Sequence, residues 1–121
     1  MTDDWVNHPP HYTAHPSGIE CIQAARLLPF TTGNAVKYIW RFDLKNGEQD
    51  LRKARWYLID HLNNGLASHP PWKAKNVLLD VVAAETDPTR RVLLQHITHG
   101  RLVEAIECLD HHLTGGGGCS P

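Results

Sequence analysis

Apolar residues recur along this chain at helical spacing, and no run alternates long enough to read as a strand. From Met1 to Pro16 the sequence is polar and carries Pro9, Pro10 and Pro16, which predicts an extended Pro/His-rich arm. Ser17-Gly18-Ile19-Glu20 then reads as a capping box, with Ser17 as N-cap and Glu20 at the third helical position. A helix to about Leu28 follows, with Ile22, Ala25 and Leu28 inward and Pro29 as its stop. The second helix is expected from Thr32 or Gly33 to Phe42. Its apolar stripe is Ala35, Val36, Ile39 and Trp40, and Asn34, Lys37 and Arg41 share another face. Asn46 with Gln49 suggests another capping box. A third helix runs from about Glu48 to Asn64, with Leu51, Ala54, Leu58 and Leu62 inward and Gly65 as C-terminal cap.

Residues 66–71, ending in His69-Pro70-Pro71, read as a linker. Three more helical runs follow it: Trp72 to about Glu85, Pro88 to about His99, and Arg101 to about Leu113. Asp87-Pro88 supplies an N-cap followed by proline at the first helical position. The glycine run predicts a flexible tail over 114–121. The reading is therefore an all-α protein: an arm (1–16), a helical module (17–65), a linker, a C-terminal three-helix extension (72–113) and a tail.

Composition narrows the function classes. With 121 residues, 41% hydrophobic and 21% charged, the chain has the makeup of a single folded domain and not of a disordered one. A net charge of −1 argues against a protein that coats nucleic acid or reads its sequence. No apolar stretch approaches a membrane span, and MTDDWVNHPP does not open a secretory signal, so a cytoplasmic location is expected. Cys21, Cys108 and Cys119 are too few and too widely spaced for a disulfide framework, and reduced thiols are expected. Tryptophans at 5, 40, 56 and 72 are hard to bury in one small helical monomer, which suggests a homo-oligomer.

The charge is unevenly spread. Between Gly33 and Tyr57, Lys37, Arg41, Lys45, Arg52, Lys53 and Arg55 face only Asp43, Glu48 and Asp50. The cations are interleaved with Tyr38, Trp40, Trp56 and Tyr57. Cations hold phosphate and aromatic faces stack on bases. Gly33-Asn34 at a helix start would add backbone N–H groups for an anion. Composition alone favours a plainer reading, two amphipathic helices with solvated basic faces. His8, His11 and His15 have a spacing that could supply metal ligands, but the prolines between them remove its helical geometry. Glu104, Glu107 and His111 share a helix face that could hold Mg²⁺ only with a second acidic pair, which Asp80 and Glu85 do not provide. There is no G-x-x-x-x-G-K-[ST] loop and no G-x-S-x-G.

VNHPPHY (6–12), GIECI (18–22), F-x-x-GNAVKYIWR (30–41) and KNG-x-x-DLRKARWYL (45–58) together form a dense, ordered set. They resemble the small phage-encoded SaV-like domain of unknown function. One branch of that family is the phage nucleotide kinase acting on deoxynucleoside monophosphates. The resemblance covers about residues 6–62 and leaves the C-terminal half without a counterpart. It implies that His8, His11, Tyr12, Glu20, Asn34, Lys37, Tyr38, Arg41, Lys45, Asp50, Lys53 and Trp56 carry the family's motif, and it tips the basic segment toward a nucleotide site.

Two functional expectations follow. In one, a phage protein in the host cytoplasm binds a nucleotide or a cyclic nucleotide signal and sequesters it, as anti-defence. Lys37 and Arg41 clamp phosphate, Asn34 orients it, Tyr38 or Trp56 stacks on the base, Lys45 and Lys53 add charge, and His8, His11 and Tyr12 close the arm over the ligand. In the other, the protein is a nucleoside monophosphate kinase, with Glu20 or Asp50 positioning the acceptor or Mg²⁺. A helical adaptor working through the C-terminal helices is a third possibility.

Overall fold

The computed structural model describes residues 15–44 and 46–115. These form six helices, α1 (Cys21–Ala25), α2 (Phe30–Arg41), α3 (Glu48–Asn63), α4 (Trp72–Ala84), α5 (Pro88–Thr98) and α6 (Leu102–Leu113), with no strand among the described residues. The all-α expectation holds. The arm through residue 14, Lys45 and the end of the tail lie outside the described residues.

The first helix is shorter than its sequence suggests. Gly18 adopts φ +78°, a left-handed conformation that no helix tolerates, so Ser17 closes a turn instead of capping. Ser17 Oγ accepts from the Ile19 N–H at 3.0 Å. The capping box is displaced three residues on: Glu20 is the N-cap, and the Gln23 side chain accepts from its N–H at 2.6 Å. The helix therefore buries Cys21 and Ala24, while Ile22 is exposed. The Asn46–Gln49 box is likewise absent. Gly47 precedes α3, and the Asn46 N–H is taken by Asp50 Oδ2 at 3.2 Å.

α2 and α3 form an antiparallel hairpin. Thr31 at the start of α2 meets His61 near the end of α3, and Arg41 at the end of α2 meets Asp50 at the start of α3. Ala35, Val36, Ile39 and Trp40 from α2 and Leu51, Ala54 and Leu58 from α3 are buried, as their spacing predicts, and Leu62 is half-buried. α3 ends in a paired cap, with the Gly65 N–H on Leu62 O (3.0 Å) and the Leu66 N–H on His61 O (3.3 Å). Leu78 and Val81 of α4, Leu93, Leu94 and Ile97 of α5, and Leu102, Ala105 and Leu109 of α6 complete the same core. The C-terminal helices thus share one core with the hairpin.

A buried polar network fastens the two halves. Glu85, between α4 and α5, accepts from the N–H groups of Thr86 and Asp87 (each 3.0 Å) and from Arg90 Nη1 (3.1 Å). Arg90 also donates to Ile39 O at 3.2 Å, ion-pairs with Asp43, and lies over the Phe42 ring at 5.1 Å. His15, at the root of the arm, accepts the Ser17 N–H at Nδ1 and donates from Nε2 to Glu85 Oε1 at 3.0 Å. Its ring is 4.9 Å from Trp40. The third histidine of the arm is thus a structural anchor. Cys21 is a free, buried thiol. Cys108 is disulfide-bonded, so the expectation of reduced thiols holds for Cys21 and not for Cys108.

Candidate functional site

The basic and aromatic residues of α2 and α3 meet on one side of the hairpin. Lys37, Tyr38 and Arg41 come from adjacent turns of α2, and Lys53, Trp56 and Tyr57 from α3. The Tyr38 ring is their centre. Arg41 Cζ is 4.8 Å from its centroid, Lys37 Nζ 5.0 Å and Lys53 Nζ 5.3 Å. The ring's negative faces attract cations, and three are gathered here around one ring. Tyr38 also stacks against Tyr57, with centroids 6.0 Å apart and planes 14° from parallel. Tyr57 in turn meets Phe30 at 6.1 Å and Trp56 at 5.1 Å, each edge to face.

The cations differ in freedom. Arg41 is buried and bonded to Asp50 at 3.3 Å, and Asp50 is fully buried. Asp50 accepts from Arg41 and from the Asn46 N–H, so it holds Arg41 in place below the surface. Arg52 pairs with Glu48 at 2.7 Å, and Arg55 pairs with Asp110. Lys37 and Lys53 are half-exposed and form no ion pair among the described residues.

The other expected site residues have different surroundings. Asn34 donates to Phe30 O at 2.8 Å within its own helix. Gly33-Asn34 is not a helix start, because α2 begins at Phe30. The Gly33 N–H is spent on Pro29 O at 2.8 Å, which corrects the expectation of a backbone anion site there. Gly33 is instead a point of close approach: a Cβ on it would stand 2.9 Å from the Ala25 carbonyl oxygen. Glu20 caps α1. His8, His11, Tyr12 and Lys45 lie outside the described residues. Trp40 faces the core. Glu104, Glu107 and His111 are exposed, and among the described residues no three His, Cys, Asp or Glu side chains converge as a metal site requires.

Sequence reasoning missed Phe30, the most exposed large apolar side chain of the hairpin at 76%. It lies seven residues before Lys37 and eight before Tyr38, on the same helical face, a relationship visible only once α2 starts at residue 30. Trp56 is 61% exposed. It walls a depression of about 210 Å³ with Arg52, Arg55, Ile59, Asp60 and Asn63. Beneath the cluster, burial pushes the Cys21 thiol up to about 12, outweighing the nearby Lys37 and Arg41 charges.

Residues 6–59 match the model of a protein family of unknown function, DUF3310. The matched stretch takes in α1, α2 and most of α3, and so the whole cation cluster around Tyr38; α4 to α6 lie beyond it. No curated protein and no solved structure matches the chain. No described helix is long and apolar enough to cross a membrane.

Proposed function

We propose that the protein binds a nucleotide or nucleotide-derived signal on the α2–α3 face and sequesters it. The observation that carries this reading is the convergence of Lys37, Lys53 and Arg41 on the Tyr38 ring, with Lys37 and Lys53 left for an anion. Like charges brought this close repel, and a bound phosphate relieves the repulsion while gaining charge-assisted hydrogen bonds. The exposed rings beside them supply stacking surface. Tyr38 itself is engaged by the cations and by Tyr57, so its role is to position the lysines, and stacking falls to its neighbours.

The resemblance to a phage-encoded domain supports a phage protein acting in the cytoplasm of its host, where holding a nucleotide signal serves as anti-defence. Sequestration is favoured over phosphoryl transfer by the position of Asp50. A carboxylate that is fully buried against Arg41 is closed to an acceptor or to Mg²⁺. The exposure of Trp72, at 70%, supports a homo-oligomer.

The test is ligand capture. The pure protein is incubated with mononucleotides and cyclic nucleotides, with and without Mg²⁺ and a triphosphate donor, then washed, heat-denatured and analysed by chromatography. Intact ligand released only on denaturation is the expected result. A phosphorylated product accumulating with time points to the kinase, and absence of any binding overturns both in favour of the adaptor. The Lys37→Ala and Lys53→Ala variants must lose the captured ligand.

A further inference from the structure

Among the described residues no cation lies over the faces of the site's two most exposed rings, although Arg52 and Arg55 border Trp56. Phe30 and Trp56 both meet Tyr57 edge to face, at 6.1 Å and 5.1 Å from its centroid. Lys37, Arg41 and Lys53 are gathered around Tyr38, whose centroid is 6.0 Å from that of Tyr57. Two exposed rings therefore share Tyr57 as a neighbour, and Tyr57 stacks on the ring that gathers the positive charge.

A single nucleotide has one base and uses only one of these rings. The Trp56 side offers more than a flat face. Its depression of about 210 Å³ includes Asp60 and Asn63, which can hydrogen-bond a base edge. That volume is small against the roughly 300 Å³ at which pockets for drug-sized ligands begin, so it takes one ring system and leaves the rest of the ligand outside. The Phe30 face, 76% exposed, is left for a second ring. Lys37 and Lys53, each about 5 Å from the Tyr38 centroid, are placed for the phosphate that joins them.

We propose that the ligand is a dinucleotide, linear or cyclic, with one base on Phe30, the other on Trp56, and a bridging phosphate on Lys37 and Lys53. This rests on the nucleotide-binding reading and specifies its ligand class. Positive charge beside exposed rings selects this occupant over an apolar protein surface, which would gain nothing from the two lysines.

The experiment is calorimetric titration of the full chain with a mononucleotide, a 5′-phosphorylated linear dinucleotide, a cyclic dinucleotide and a ten-residue single strand. It is repeated on Phe30→Ala and Trp56→Ala, whose exposed positions leave the fold intact by circular dichroism. A dinucleotide is expected to bind at least tenfold tighter than the mononucleotide, and each substitution to weaken it by roughly tenfold, the stacking contribution of one base. A mononucleotide that binds as tightly as either dinucleotide overturns the two-base ligand while leaving nucleotide binding in place. So does affinity that keeps rising to the ten-residue strand. If none of the four binds, both readings fail. Concentration-dependent self-association abolished by the same substitutions, with dinucleotide affinity unchanged, assigns the rings to a second copy of the chain and overturns the proposal.

Discussion

The imidazole of His15 lies 3.0 Å from the carboxylate of Glu85, seventy residues further along the chain. The contact ties the root of the N-terminal arm to the turn between α4 and α5. Burial works to raise the Glu85 carboxyl, but the Asp87 N–H, Arg90 and His15 outweigh it and hold it below its ordinary 4.5. A carboxyl lowered by folding contributes stability that is complete above its unfolded value and is lost as pH falls through its folded one. Stability should therefore drop below about pH 4.5, and Glu85→Gln should flatten that part of the curve. Urea unfolding between pH 3 and 7 reads both; an unchanged acid slope in the variant removes Glu85 as its source.

Arg90 bonds at once to Glu85, Asp43 and the Ile39 carbonyl, with its side chain 8% exposed. Removing one member of a buried ion pair leaves the other charge stranded, at a cost of about 3–5 kcal/mol. Arg90→Ala should therefore destabilise the fold by that amount. Restoring neutrality with Arg90→Met and Glu85→Gln together should cost less than the two single changes summed, as a double-mutant cycle in urea would report.

Gly33 faces the Ala25 carbonyl oxygen, so an added Cβ at 2.9 Å forces α1 away from α2. Although alanine is the better helix former, Gly33→Ala should lose about 1–3 kcal/mol. A variant as stable as the parent in thermal unfolding would show that α1 shifts without cost.

Lys37 and Lys53 are half-exposed and make no ion pair among the described residues, so the fold draws from their charge only the weak attraction of the Tyr38 ring. Each alanine substitution should leave the melting temperature within a few degrees and reduce nucleotide affinity about tenfold or more, the value of one charge-assisted contact. Equal losses of stability and affinity would mean that the lysines act through structure.

The Cys21 thiol, pushed up to about 12 by its burial, holds almost no thiolate at neutral pH. It should resist iodoacetamide at pH 8 in the native protein and react fully in 6 M guanidinium, as intact mass measures. Rapid native labelling would place α1 in an open equilibrium.

Helix spacing alone gave the all-α class, the buried stripes of α2 and α3, the Gly65 cap and the Asp87-Pro88 start, because each depends on neighbours within one turn. It also gathered Lys37, Tyr38, Arg41, Lys53 and Trp56 as one group, since their chemistry is dense in a short segment. Long-range packing decided the rest. The pairing of α2 with α3 puts Phe30 beside Tyr57 and buries Asp50 under Arg41, and α4 to α6 bring Glu85 and Arg90 onto His15 and Ile39. No local pattern carries those contacts, because a side chain's burial and partner depend on what the tertiary fold lays against it.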